Sequence, residues 1–321
     1  MKHTIRLAVI IAITLFCAIL LAAAPNARAA GNIFEHMIPT DPCNWSGWYM
    51  GINTGATWNH FDIGKHMGEV DLTDQFYEIA PVTGVASDAF ATFDFPGHNA
   101  TNNKPIGGGQ MGFNFQFGHF VVGGEGGFSG NTSEAGEKSS EFQTNQLFPN
   151  EQTVTAETTY TSIRKVDTNW NGFIGGHVGF AWNRFLFYGS GGAAFSDVHF
   201  TAMDKADTSF FSPCDGGLQP CPESPSTVQP RLPLGTVFIG EVVNKKASSH
   251  KDVLTGWYGG GGALYALTNN VNVGVDYKHV DFGDKTDHFS SGGPVFPGNT
   301  NIGVSADQLT FQVNVMLWPF H

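Results

Sequence analysis

The sequence predicts an all-β fold, an eight-stranded antiparallel up-and-down transmembrane β-barrel. Eight segments of roughly ten residues alternate polar with apolar side chains, and the links between them are alternately long and very short. The tryptophans lie within or at the ends of these segments, and Trp257 lies a few residues inside its end. The predicted strands are Trp48–Trp58, Ile106–Gln116, His119–Ser129, Thr168–Trp182, Phe185–Asp197, Val253–Leu267, Val271–Phe282 and Asp307–Trp318.

The links between the segments predict which side of the membrane each one faces. Phe117–Gly118, Asn183–Arg184 and Thr268–Asn270 are short enough for three periplasmic turns. The remaining links predict four long extracellular loops, and most of the acidic residues lie in them, as expected of solvated loops. These long links are 59–105, 130–167, 198–252 and 283–306.

The alternation by itself leaves two architectures open. In the first segment Trp48, Met50 and Ile52 share one face, whereas Tyr49 and Asn53 share the other. A strand in a soluble β-sandwich has the same period of two, so this pattern does not identify a membrane protein.

Tryptophan favours the barrel over the sandwich. Indole rings anchor at both membrane interfaces, and they would lie in mid-strand in a sandwich core. Trp45 is also near an end with short turns. The predicted interface girdle is Trp48, Trp58, Trp170, Trp182, Trp257 and Trp318.

The N-terminal residues predict export. Lys2 and Arg6 precede an apolar stretch over 7–24, and Ala27-Arg28-Ala29 has the small residues of a cleavage site. We expect a signal peptide over 1–29, a periplasmic segment over 30–44 and the barrel over 45–321. An uncleaved anchor stays open as the alternative. The expected location is the bacterial outer membrane, reached through the periplasm.

Charge and cysteine content restrict the partners and the chemistry. The chain has 16 Lys and Arg against 28 Asp and Glu, a net charge of −12, so nucleic acid is not an expected partner. Cys214 and Cys221 bracket a short loop tip and predict a disulfide in an oxidising compartment. A metal site there is less favoured because no second ligand pair accompanies them. We expect Cys43 to be free or paired with another molecule.

Motifs within the strands add a family resemblance. Trp45–Gly51 (WSGWYMG), Phe120–Gly126 (FVVGGEG) and Gly256–Gly262 (GWYGGGG) resemble strands of porin-family outer-membrane immunogenic proteins. These surface antigens are eight-stranded barrels related to the transmembrane domain of outer membrane protein A. The chain departs from their pattern with His177 in place of an inward Arg and Leu264 in place of an inward Glu. It also ends on His321 instead of the usual aromatic residue.

The resemblance implies a role and a set of partners. It implies an integral barrel with a structural role in envelope integrity and a surface-interaction or adhesion role, without catalysis. The implied partners are outer-membrane lipid and lipopolysaccharide, the barrel assembly machinery, and a host or cell-surface receptor. Some similar proteins bind haem, so haem or small-ligand binding by the loops is one alternative, and a narrow porin-like channel is another.

Inward charges predict a polar network that fills the lumen. Eight strands enclose a space just wide enough for side chains, and Glu125, His177, Asp276 and Lys278 point into it. Charges at similar depth should pair there, so His177 is expected to contact Glu125 or Asp276. An ion- or proton-conducting path is the alternative function of the same residues.

Two further patterns are weak candidates for activity. His288 and Ser290 have the spacing seen in some barrel lipases, but they lie in a predicted loop without an evident acid to orient the histidine. We therefore expect no enzyme activity. His60 and His66 are the nearest pair of loop histidines and the only weak candidates for haem. We expect no other cofactor.

Overall fold

A computed structural model describes residues 43–80, 89–147, 154–213, 236–287 and 294–318. Eight antiparallel strands in this part of the chain close into a barrel, which confirms the predicted fold class. No described helix is long and apolar enough to cross a membrane. The elements are β1 Gly47–Ile63, β2 His66–Asp71, α1 Leu72–Ile79, β3 Phe90–Phe95, β4 His98–Phe117, β5 Phe120–Leu147, β6 Val154–Trp182, β7 Phe185–Pro213, β8 Thr236–Ala266, β9 Val271–Asp287, β10 Val295–Pro297 and β11 Thr300–Trp318.

The barrel strands follow one another around the ring in the order β1, β11, β9, β8, β7, β6, β5 and β4, and β4 pairs with β1. The alternation in the sequence orients each strand. Ile52 is 70% exposed on the outer face, whereas its neighbour Asn53 is 8% exposed inside. Apolar side chains therefore face lipid and amides face the lumen, as an apolar solvent requires.

The three short turns lie within one residue of their predicted positions. Asn183 and Arg184 connect β6 to β7, and residues 118–119 connect β4 to β5. Asn183 has φ 54° and Gly118 has φ 64°. These are residue types that adopt the left-handed region most readily, so the local sequence determines both turns.

The prediction of long extracellular loops is wrong for most of their length. β5, β6, β7 and β8 contain 28, 29, 29 and 31 residues, so they continue through the links predicted over 130–167 and 198–252. A strand of about 10 residues is enough to cross the bilayer. Polar side chains such as Thr155 and Glu157 lie on the outer side of the strands, while Val198, Phe200 and Ala202 are buried inside.

The barrel divides into two sheets above the membrane. β5 pairs with β4 only as far as Gly130, and β8 pairs with β9 only from Trp257 downward. Above these points β5, β6, β7 and β8 form one four-stranded sheet, here called the tall sheet. The upper parts of β4, β1, β11 and β9 form a second, the short sheet.

The predicted first and last loops are also partly ordered, and they form a cap. β10, β2 and β3 make a separate three-stranded sheet. Asp71 begins α1 by accepting hydrogen bonds from the backbone N–H groups of Thr73 and Asp74. Leu72 and Phe76 of α1 and Phe93 of β3 pack with residues of the tall sheet in one apolar core. This core is Val70, Leu72, Phe76, Ala91, Phe93, Phe95, Leu147, Val154, Ala156, Tyr160, Ala206, Phe210, Val242 and Val295.

Candidate functional site: the filled lumen and the capped mouth

The lumen is filled in successive layers from the periplasmic end to the cap. The lowest layer is an apolar plug that includes Cys43, Trp45 and Val121. A polar layer follows it, and then an apolar collar that includes Phe61, Phe200 and Phe282. The cap covers the tall sheet above the collar. Packed side chains therefore occupy the lumen at several heights.

The polar layer brings together the four predicted interior charges in two groups. In the first, His177 Nδ1 lies 3.6 Å from Glu125 Oε2, and His177 Nε2 lies 2.7 Å from Asn114 Oδ1. Tyr258 donates its hydroxyl hydrogen to Glu125 Oε1 over 2.8 Å. His177 thus contacts Glu125 and not Asp276, one of the two partners expected for it.

The second group contains the other two charges. Lys278 forms an ion pair with Asp276, and its Nζ atom lies 4.7 Å from the centre of the Phe173 ring. Tyr188 donates to Asp276 Oδ1 over 2.7 Å, and Gln312 Nε2 donates to the Tyr188 hydroxyl oxygen over 2.7 Å. Each buried charge therefore has an opposite charge or a hydrogen-bond donor, which is the arrangement expected of a structural polar core.

Space for a substrate within the polar layer is very small. The cavity bordered by Tyr49, Glu125 and His177 has a volume of about 20 Å³, which is enough for about one water molecule. Tyr188, Tyr258, Asn114 and Gln312 also belong to this layer, although they were not among the predicted site residues. Their positions on inward faces were readable from the alternation, although their partners were not.

A second buried ion pair lies higher up, on the inner face of the tall sheet. Arg164 Nη1 donates to Asp204 Oδ2 over 2.9 Å, and both side chains are 1% exposed. Arg164 Nε also reaches Thr300 Oγ1 of the short sheet at 3.4 Å. Tyr160 packs against the position of Gly68, where an added Cβ would lie 2.4 Å from the tyrosine ring. This cluster was not predicted because all of its residues lie in the links predicted as loops.

His66 joins the cap to the same cluster. Its Nε2 atom lies 2.8 Å from Ser162 Oγ of the tall sheet, and its ring stacks on Phe95 at 5.1 Å between centroids. Burial, and then the charge of Arg164, lower the pKa of His66 below its usual value, although Asp204 acts in the opposite direction. His66 is therefore neutral in the docked cap at neutral pH.

The lowered pKa predicts that acid weakens the docking of the cap. A released cap binds more protons at His66 than a docked one, so docking is fully stabilised above about pH 6.5 and weakens as the pH falls below it. We expect protease treatment of intact cells to cut the cap faster at pH 5 than at pH 7.5. His66→Gln should remove most of this difference, and an unchanged pH dependence in that variant would contradict the assignment.

The two haem candidates do not share a site. His60 faces outward on β1, where its Nε2 atom lies 3.2 Å from Asp307 and its Nδ1 atom lies 3.1 Å from Thr101. His66 is buried beneath the cap. No group of three His, Cys, Asp or Glu side chains arranged to hold a metal occurs among the described residues.

Several predicted residues fall outside the described ranges, and Cys43 is the first residue inside them. Cys214, Cys221, His288 and Ser290 lie outside the described residues, as do the predicted signal peptide 1–29 and most of the predicted periplasmic segment 30–44. Cys43 is buried in the plug, and its thiol forms no disulfide among the described residues.

The tryptophans form two levels on the outside of the barrel. Trp48 and Trp182 are exposed near the periplasmic turns, and Trp257 is exposed at the upper end of the β8–β9 pairing. Trp58 and Trp170 are partly exposed near the same upper level, where Trp170 stacks on Phe128. Ten residues of a tilted strand between Trp48 and Trp58 correspond to a height of about 25 Å, the thickness of an apolar band in such barrels.

The other two tryptophans, Trp45 and Trp318, lie at the lower end of the barrel. Trp45, expected near the lower membrane interface, is 1% exposed and fills the plug instead. Its strand has not yet begun, so no alternation could assign its direction. Trp318 pairs with Trp48 through the backbone at the same lower level.

Comparison with known proteins agrees with the barrel architecture. A family model described as "Outer membrane protein beta-barrel domain" matches residues 14–316. A search of curated proteins finds no match.

Solved structures with a similar fold include three outer-membrane proteins. The Ail attachment invasion locus protein of Yersinia pestis is 10% identical, with 83% of this chain and 99% of that chain covered and a TM-score of 0.23. Neisserial surface protein A is 9% identical, with 82% and 99% covered and a TM-score of 0.26. The protease OmpT of Escherichia coli is 11% identical, with 83% and 97% covered and a TM-score of 0.28. Similarity at this level carries no information about function.

Proposed function

Because the chain belongs to the outer-membrane β-barrel domain family, we propose that it supports envelope integrity and presents a surface for interaction or adhesion, without catalysis. The proposal rests on the length of four strands. β5 to β8 continue well beyond the length that crosses a bilayer, and the extension is built into a tall sheet and a packed cap. Much of the chain thus forms an ordered external structure.

A packed surface favours interaction over transport. Rigid strands lose less conformational entropy on binding than loops do, so a sheet and cap can present side chains to a receptor at a smaller entropic cost. The layers inside the lumen contain paired charges and apolar cores instead of an open path. The partners proposed for the barrel are lipid, lipopolysaccharide and the assembly machinery, and the receptor would bind the cap.

Separate variants can test the two parts of this role. Deleting the gene should increase sensitivity to detergent and reduce adherence of the bacteria to host-cell monolayers. A variant with residues 64–97 replaced by a short Gly-Ser turn should restore detergent resistance while adherence stays low. Heat-modifiable gel mobility serves as the control for barrel folding. Unchanged sensitivity and unchanged adherence after deletion would contradict the proposal.

The filled lumen also predicts the outcome of conductance measurements. Purified protein in planar bilayers should show no discrete conductance steps, because the plug, polar layer and collar lie in series across the lumen. A known porin measured in the same bilayers is the positive control. Reproducible unitary steps, abolished by Glu125→Gln, would establish the channel function instead.

A further inference from the structure

The tall sheet ends on two strand edges that no described strand covers. The gap between β5 and β4 is bridged by Asn102, which donates to the backbone oxygen of Glu134. The gap between β8 and β9 is bridged by the ion pair between Lys285 and Asp252. Above both bridges, residues 140–145 of β5 and 240–245 of β8 each have a neighbouring strand on one side only within the described part of the chain.

The β5 segment lacks the features that usually prevent edge-to-edge pairing, whereas the β8 segment ends at Lys245 and begins beside a register shift at Ile239. Lysine, proline and bulges protect natural edges, but 140–145 has the sequence Ser-Glu-Phe-Gln-Thr-Asn and pairs regularly with β6. Residues 140–144 are exposed on both faces, and Phe142 is 62% exposed. On β8 the pairing is regular from Gly240 to Lys245, and Val243 is 53% exposed.

We propose that a second copy of this chain covers these edges, with β8 of one copy adding to β5 of its neighbour. The membrane restricts how copies can meet, because every barrel has the same vertical direction. β5 rises from a periplasmic turn whereas β8 descends to one, so β5 and β8 of adjacent copies are antiparallel. Contacts between two β5 edges or two β8 edges would be parallel, a pairing that is less stable per residue.

One antiparallel register satisfies the side chains of both segments. Val243 and Phe142 both point outward, and placing them opposite each other removes two exposed apolar side chains from water. The same register puts Lys245 opposite Ser140, so no like charges face each other. Each copy uses a different edge on each side, so the contact is heterologous and produces rings or rows of barrels.

Disulfide cross-linking in the outer membrane tests the pairing. Cys43, Cys214 and Cys221 are first replaced by Ser. A chain with Phe142→Cys is then co-expressed with a chain that carries Val243→Cys. Residues directly opposite across antiparallel strands have Cβ atoms about 5 Å apart, near the range for a disulfide. Mild oxidation should link the two different chains, whereas either chain expressed alone should remain monomeric.

Matched controls separate the proposed edge from random collision. Asn99 is exposed on β4 of the short sheet. A chain with Asn99→Cys co-expressed with a chain carrying Val243→Cys should give no dimer. In a chain without the added cysteines, Val243→Lys should reduce the yield of chemically cross-linked dimer about fivefold, because one apolar cross-strand pair is lost. Heat-modifiable mobility confirms that each barrel is folded. Dimers from a single cysteine chain, links only to another protein, or no links at all would overturn the proposal.

Discussion

Replacing Arg164 with Leu should release the cap while the barrel stays folded. The change leaves the Asp204 carboxylate buried at 1% exposure without its cation. Breaking a buried ion pair in this way destabilises a protein by about 3–5 kcal/mol. This loss of stability should affect the docking of the cap, because the charges of Arg164 and Asp204 act on His66 of the cap and Tyr160 belongs to the shared core.

Proteolysis of intact cells measures this release. Trypsin or proteinase K should cut Arg164→Leu within the cap, while the heat-modifiable mobility of the barrel is retained. The matched variant Arg164→Met with Asp204→Leu removes both charges and should regain most of the protease resistance, because an apolar pair replaces a buried ion pair with little loss. Equal sensitivity of the single and double variants would show that packing, not the unpaired carboxylate, holds the cap.

Replacing Lys278 with Met should have the opposite effect to Arg164→Leu. It should weaken the barrel and leave the cap docked. Asp276 is 3% exposed and would keep only the Tyr188 hydroxyl as a donor. The expected loss is again about 3–5 kcal/mol. It should appear as a lower temperature for the shift from folded to unfolded gel mobility, with protease resistance of the cap unchanged at 25 °C.

A second variant makes this prediction specific to charge. Asp276→Asn in the Lys278→Met background removes the unpaired carboxylate and keeps an oxygen that can accept from Tyr188. This double variant should recover much of the lost thermal stability. If Lys278 acted mainly through its contact with the Phe173 ring, the double variant would not recover stability, because both variants lack that contact.

The difference between loop and strand above the membrane shows the limit of sequence patterns. β6 alternates Thr155, Glu157, Thr159 and Thr161 outward with buried small or apolar residues, a period of two that is typical of a strand. Its outer side chains are as polar as those of a solvated loop, because both face water. Polarity therefore could not separate the two, and only the inner apolar core shows that the segment packs.

The interior charges were predictable as a set but not as pairs. Inward direction follows from the period of two, so Glu125, His177, Asp276 and Lys278 could be selected from the sequence. Which side chains meet depends on the stagger between strands and on rotamers. Neighbours such as Tyr258 and Asn114 come from strands distant in the chain.

By itself the sequence determined the number of barrel strands, the lipid-facing residues and the periplasmic turns, because each follows from short-range alternation or from residues that favour a turn. Only the tertiary structure decided where the ring divides into two sheets, how the cap closes the mouth and how Arg164 finds Asp204. These features depend on contacts between residues 40 or more positions apart in the chain, which no local pattern encodes.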